Sequence, residues 1–211
     1  MDELKSLFRN NREWIESITT RDPAFFQRLA KQQKPRFLWI GCSDSRVPAN
    51  EIVGLEPGEM FVHRNVANVV SSSDMNCLSV LQYAISVLGV NHVIVTGHYG
   101  CGGVSAALEA RQHGLIDNWL HPVRNIYSQY RAELDALAEE KRIDRLCELN
   151  VAEQVKNVCS TVYVQEAWAR GHELVVHGWI YDIRDGILKD LGISVDSPAQ
   201  VDEVFRLPVG G

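Results

Sequence analysis

Two short segments carry side chains able to hold a metal ion. Cys42-Ser43-Asp44-Ser45-Arg46 offers a thiol and a carboxylate, and His98-Tyr99-Gly100-Cys101-Gly102-Gly103 offers an imidazole and a second thiol. Two thiolates and an imidazole are a donor set that zinc prefers, and the spacing of His98 and Cys101 lets one tight turn present both. Three protein ligands leave one position open, where bound water ionises near neutral pH; that is the mark of a catalytic rather than a structural zinc site. Asp44 can close the open position itself, or it can be held away from it by Arg46 in a bidentate salt bridge. The two arrangements exclude each other, so the spacing predicts a switch between a closed inactive site and an open active one. Each motif alone is compatible with buried thiols and turn residues. Together, each at the end of a strand pattern and glycine-rich where backbones must approach, they favour the metal.

The elements that must position these residues are legible around them. Arg36 to Gly41 is a short apolar run bounded by Pro35 and the first motif, and Asn91 to Gly97 is a similar run leading into the second. Glu59 to Arg64 and Glu173 to Gly178 read as further strands, and Gly186 to Val195 as an extra edge strand. Between them lie helical patterns: one capped by Asp74 and closed by Gly89, a long helix from Gly102, a solvated stretch from Ala132 to Arg145, and a helix opened by a capping box at Asn150 and Glu153 and closed at Gly171. Alternating strands and helices predict an α/β fold with a mainly parallel central sheet flanked by helices, in which ligands gather at the carboxyl ends of strands. The first ~30 residues form a helical arm, with Asp22-Pro23 opening a second helix from Ala24 to Gln33. We read one domain: arm 1–34, zinc-binding core 35–195 and tail 196–211, whose last residues, from Leu207, fray or pack on a partner subunit.

Bulk properties narrow the function. The 211 residues hold 21 Lys and Arg against 27 Asp and Glu, a net charge of −6, which gives no reason to expect nucleic acid as a partner. The N-terminal residues mix charge signs without the apolar run of a signal peptide or membrane span, so we expect a cytoplasmic protein with no membrane partner. Five cysteines in no framework spacing suit free thiols, metal ligands or catalytic groups. Cys77, Cys147 and Cys159 fall on helical patterns and read as core or unpaired residues, and His63 as a structural strand-end histidine. His92, His113, His121, His172 and His177 have no ligand spacing to one another. GHYGCGG lacks the register of a dinucleotide loop, and no CxxC supports thiol redox chemistry.

Three segments, Cys42 to Pro48, Phe61 to Asn68 and Gly97 to Gly103, together resemble the signatures of the β-class carbonic anhydrases, a likeness running from about residue 1 to about 190. The resemblance implies reversible hydration of carbon dioxide to bicarbonate and a proton, with one zinc ion per subunit on Cys42, His98 and Cys101, and Asp44 with Arg46 as the catalytic dyad. It implies a homodimer built through the N-terminal helices and assembling to a homotetramer. Gln33 matches a glutamine that reaches the substrate pocket across the dimer interface, Gly102 offers an N–H to substrate, and Val47, Phe61, Val66 and Tyr83 are candidates for the apolar wall. Trp39, Arg64 and Tyr181 match the residues of a bicarbonate-regulated, type II branch that bind an inhibitory bicarbonate away from the metal, making the enzyme sensitive to bicarbonate and pH, with the inactive form favoured at lower pH. A zinc hydrolase of a carbon dioxide analogue such as carbon disulfide and a non-enzymatic closed-site zinc protein are the alternatives.

Overall fold

The computed structural model describes residues 2–207, in two compact units, Met1–Lys34 and Pro35–Gly211. The first unit is α1 (Asp2–Arg21) and α2 (Phe25–Leu29). Asp22 accepts a hydrogen bond from the Ala24 N–H at 3.2 Å and pairs with Arg28, and Trp14 meets Phe26 edge-on at 5.5 Å, so the turn and the two helices brace each other. The second helix stops at Leu29, short of the expected Gln33, because the backbone N–H of Ala30 already closes its last turn and Pro35 bars any continuation.

The second unit is built on β1 (Phe37–Cys42), α3 (Ala49–Ile52), β2 (Met60–Asn65), α4 (Met75–Gln82), β3 (His92–His98), α5 (Gly102–Leu108), α6 (Ile116–Trp119), α7 (His121–Gln129), α8 (Arg131–Asp135), α9 (Glu139–Cys159), α10 (Val162–Ala169), β4 (Val175–Asp182) and β5 (Ile187–Val195). The sheet order is β2-β1-β3-β4-β5, parallel except for the antiparallel edge strand β5. This is the expected α/β arrangement. In β1 every residue from Leu38 to Cys42 is buried, as in a strand covered on both faces. Leu38 and Ile40 enter the larger core with Val93, Val95, Val176 and Ile180, under α4, α5, α7, α9 and α10. Trp39 points the other way, into a smaller cluster with Val47, Ala49, Met60 and Ile94, edged by Trp179 and Tyr181.

Strand ends fall within a residue of expectation except in β4, which runs on to Asp182 through its ladder with β5. Helices depart further. The helix from Gly102 is short: Glu109 is extended (ψ 142°), and the chain turns through Gly114 at φ 84°. Ala132 to Arg145 is not one helix, since α8 ends at Asp135 and α9 starts at Glu139. Asn150 is no cap at all. It lies 1% exposed inside α9, and its side chain is committed to a distant backbone carbonyl. α9 ends at Cys159 and α10 begins at Val162, with Gly171 (φ 74°) closing the second. The expected C-terminal tail is described only to Leu207, and Pro208 onward lies outside the described residues.

β1 and β3 are neighbours, with Gly41 opposite Thr96, so Cys42 and His98 leave the sheet side by side. Close packing there needs Gly97. A Cβ on it would stand 2.6 Å from Val151 Cγ2 and 3.2 Å from Ile180 Cδ1. Gly97→Ala is expected to overpack this junction and to cost about 1–3 kcal/mol, read as a lower urea midpoint at unchanged m. An unchanged midpoint would refute the packing account.

Candidate metal centre

The first strand ends in Cys42 and the third in His98, and a turn through Gly100 brings Cys101 back beneath them. Gly100 has φ 67°, a conformation that favours glycine, and it lets Cys101 stand at the start of α5 with its thiol facing inward. The ligand atoms of Cys42, His98 and Cys101 all lie within 4.8 Å of one another, and all three residues are buried. The two Sγ atoms are 3.8 Å apart. Two thiolates on a tetrahedral zinc at about 2.3 Å are separated by about 3.8 Å, so the pair is already spaced for the ion. His98 Nδ1 faces the Tyr99 carbonyl at 3.0 Å, which fixes that nitrogen as the donor and leaves Nε2 as an acceptor. Nε2 is buried without a hydrogen-bond partner. Donor types, spacing and the orphaned imidazole nitrogen all fit a zinc ion.

The thiols are not equivalent. Cys42 is drawn well below the usual thiol range by the hydrogen bond from Cys101, by His98, and by the backbone N–H groups of Asp44 and Ala67, while Cys101 is pushed up by its hydrogen bond to Cys42 and by burial. Burial alone pushes Cys159 up to about 12, and burial leads the rise of Cys77 and Cys147 to about 12. Those three are buried neutral thiols, as read from the sequence for Cys77.

Asp44 is held by Arg46. The guanidinium donates to Oδ1 at 2.9 Å and to Oδ2 at 2.7 Å, and the Arg46 N–H adds a bond to Oδ1 at 3.0 Å. Arg46 also reaches the Gly100 carbonyl at 3.3 Å, tying the two motifs together. Asp44 Oδ2 stands 3.8 Å from His98 Nε2, so the carboxylate borders the metal position while bound to arginine. Arg64 donates to the Cys42 carbonyl at 2.8 Å and to the Asp44 carbonyl, fixing the backbone of the first motif from β2.

The remaining expected residues are dispersed. Val47 is buried in the smaller cluster beside Trp39, on the sheet face opposite Cys42. Phe61 and Tyr83 pair with ring centroids 5.9 Å apart, and Val66 lies over Gly103, where a Cβ would stand 2.8 Å from its Cγ1. Gly102 opens α5 with free space at its Cβ position. Gln33 belongs to the N-terminal unit and is exposed. Trp39 is fully buried with Nε1 unpartnered, while Tyr181 lies in β4 opposite His98 at the edge of the same cluster. His63 is buried against Asn65 Nδ2 at 3.2 Å and groups with Asp74 and Cys77. His92 and His177, unrelated by spacing, meet at 3.1 Å because β3 and β4 are adjacent.

One feature of the backbone after β2 escaped the sequence reading. Ala67 and Asn68 have φ 63° and 46°, a left-handed pair of non-glycine residues directly after β2. Such residues cost roughly 1–3 kcal/mol each unless their surroundings hold them. The available signal was the polar stripe Asn150, Gln154 and Asn157, repeating at four and three residues within an otherwise apolar helix face.

Comparison with known proteins agrees with this geometry. Residues 37–188 match the family model described as carbonic anhydrase. The chain is 46% identical over 208 residues to a carbonic anhydrase of Emericella nidulans, covering 97% of this chain and 90% of that protein. It is 36% identical to one from Candida albicans, covering 97% and 72%. Among solved structures it resembles tetrameric β-carbonic anhydrases of Sordaria macrospora with a TM-score of 0.88 at 40% identity, covering 92% of this chain and 100% of that one. It also resembles the Coccomyxa β-carbonic anhydrase in complex with acetazolamide, with a TM-score of 0.89 at 39% identity, covering 92% and 88%.

The Asp44 carboxyl lies well below the usual carboxylate range, mainly through its hydrogen bond from Arg46 and further through the Arg46 N–H and the nearby His98. The sign follows: a depressed folded value adds stability above about pH 3.9, lost only as pH falls through the lower folded value. Carbon-detected NMR titration of metal-free protein is expected to show Asp44 still ionised at pH 4, and Arg46→Ala to move it toward the ordinary value. An Asp44 carboxyl titrating near 3.9 in the parent protein would contradict the pairing.

Proposed function

The chain belongs to the β-class carbonic anhydrases, enzymes that hydrate carbon dioxide, and from that premise we propose that it works with one zinc ion per subunit on Cys42, His98 and Cys101. The observation that carries this is the meeting of two thiols 3.8 Å apart with a buried, unpartnered His98 Nε2. Zinc in such a site supplies a Lewis acid that ionises water at neutral pH. Asp44, anchored by Arg46 beside His98 Nε2, would accept a hydrogen bond from the attacking water oxygen and so would turn a lone pair toward the carbon of carbon dioxide. Arg46 keeps Asp44 an acceptor and off the metal. This open arrangement favours a working hydratase over a permanently closed zinc protein. Because Asp44 is ionised throughout the physiological range, the rise of activity with pH does not come from the dyad losing a proton.

The second element of the proposal is regulation by bicarbonate on the opposite sheet face. Trp39 Nε1 lacks a partner, Arg64 and Tyr181 flank its cluster from β2 and β4, and Val47 fills the space beside it. An anion taking the Trp39 N–H and the Arg64 guanidinium would displace Val47 and draw Arg64 from the carbonyls of Cys42 and Asp44. Val47 adjoins Arg46, so the displacement would pull the dyad apart and free Asp44 to close the site. An effector with this differential affinity shifts the population toward the inactive form. Lower pH favours the same closed form.

Assembly as a homodimer through the N-terminal unit, doubled to a homotetramer, is supported by Leu4, Leu7 and Phe8, each more than half exposed on α1. In that dimer Gln33 would reach its partner's pocket. Five buried free cysteines support a cytoplasmic setting.

Stopped-flow hydration on zinc-loaded protein is expected to rise steeply from about pH 6.5 to 9 as zinc-bound water ionises near 7. Asp44→Asn should lower it by about 10²-fold or more with zinc retained. Full activity in that variant would remove Asp44 from the mechanism. For the regulatory face, Trp39→Phe and Arg64→Ala are expected to raise the half-inhibitory bicarbonate concentration at least about tenfold, or about 1.4 kcal/mol. Undiminished inhibition in both would rule out this anion site.

A further inference from the structure

Tyr99 stands between His98 and Cys101 and is held at its carbonyl, its N–H, its hydroxyl and its ring. The carbonyl faces His98 Nδ1 at 3.0 Å, and the N–H donates to the Tyr181 carbonyl at 3.0 Å. The hydroxyl donates to Glu148 Oε1 on α9 at 2.6 Å. The Arg184 guanidinium and the Lys189 ammonium lie over the ring, each 5.3 Å from its centroid and within cation–π range. Although it belongs to a turn, Tyr99 is only 9% exposed.

The groups that hold Tyr99 are themselves held. Glu148 accepts from Arg145 at 2.9 Å with its other oxygen, and Arg145 also donates to Glu133 at 2.7 Å. Arg184 binds Asp182 through its N–H at 3.0 Å and its guanidinium at 2.9 and 3.1 Å, the pairing that Arg46 makes with Asp44. It also reaches Glu140 and Asp144 on α9, at 3.0 Å each, and Lys189 meets Asp182 at 3.4 Å. Ion pairs as exposed as these add little stability singly, so what the network supplies is placement. What it places is a carbonyl. His98 Nδ1 donates to the Tyr99 oxygen, and the opposite ring nitrogen is the unpartnered Nε2 beside the two thiols. The imidazole turns only by breaking that bond. The carbonyl turns only with the Tyr99 side chain or with Gly100, whose own carbonyl is held by Arg46 at 3.3 Å.

We propose that Tyr99, with Glu148 on its hydroxyl and Arg184 and Lys189 on its ring, is a positioning residue of the metal centre, setting the carbonyl that orients His98 and so aiming Nε2 at the space beside the two thiols. None of the four touches the reacting atoms. They act through the ligand, as outer partners do when they fix the tautomer and ring orientation of a metal-bound histidine and raise its basicity. This role presupposes the zinc reading above.

Zinc affinity is measured by competition with a chelating indicator, and the hydrogen bond to the Tyr99 carbonyl is read from the NMR resonance of the His98 Nδ1 proton in the zinc-loaded protein. Glu148→Leu is expected to weaken zinc binding about 10-fold or more, and to move the Nδ1 proton upfield as its hydrogen bond lengthens. Glu148→Gln, which keeps an acceptor for the hydroxyl, should stay within about threefold of the parent with the resonance unmoved. Tyr99→Phe removes only the hydroxyl and should match Glu148→Leu, and the two together should cost no more than either alone, because both break one interaction. If Glu148→Leu fails to fold, Tyr99→Phe carries the test. A folded Tyr99→Phe with parental affinity and an unmoved resonance would reduce the network to a fold stabiliser. Weakened zinc binding with an unmoved Nδ1 proton would overturn the role equally, since the loss would not pass through His98. Failure of the parent protein itself to bind zinc would overturn the zinc reading as well, which separates the two failures.

Discussion

Two thiols and an imidazole nitrogen pressed together out of water make a cluster that the chain alone does not satisfy. Cys42 and Cys101 meet at 3.8 Å, and His98 Nε2 has no hydrogen-bond partner. A buried polar atom left unpaired costs on the order of 1–3 kcal/mol, so the cluster persists only because the surrounding structure enforces it and because a cation can complete it. Much of the fold serves that enforcement. Adjacent parallel strands set Cys42 beside His98, the Gly100 turn returns Cys101, and Gly97 lets α9 approach closely enough to back the junction.

The electrostatics around the cluster are divided by element. Positive charge comes from Arg46, which acts on the Asp44 side chain, and from Arg64, which acts on carbonyls. The backbone N–H groups of Asp44 and Ala67 help to lower the Cys42 thiol. An arginine bonded directly to the thiolate would compete with a dication for the same lone pairs, whereas a peptide N–H moderates the sulfur without removing it as a ligand. Peptide N–H groups have no freedom of their own, so their placement becomes a question of loop conformation.

The candidate ligands, the pairing of Asp44 with Arg46 and the strands that carry them were legible in the sequence because each depends on local spacing: a strand pattern ending in a thiol, or a histidine and a cysteine across one glycine turn. Asn150 was misread for the opposite reason. As a string, Asn150 and Glu153 look like a capping box, and only the packing of α9 against the loop after β2 shows that the amide is spent on the Ala67 carbonyl. The early stop of α5 and the break at residues 136–138 are tertiary outcomes of the same kind, where helix propensity yields to loop and packing demands. The pairing of His92 with His177, 85 positions apart, follows from strand adjacency and has no local trace.

The alternation of β1 links the two faces of the sheet. Cys42 faces the larger core and Cys101, while Trp39, three residues earlier, faces the smaller one. The chain then crosses between faces within Asp44 to Val47: Asp44 borders His98, and Val47 is packed against Trp39. Arg46 stands between them and is bound to both Asp44 and Gly100. The turn between them is closed by the Val47 N–H on the Asp44 carbonyl at 3.1 Å, so the Trp39 cluster and the Asp44 carboxylate are joined through one tight piece of backbone. Any displacement of Val47 is therefore felt at Asp44 through four residues, without a pathway across the core.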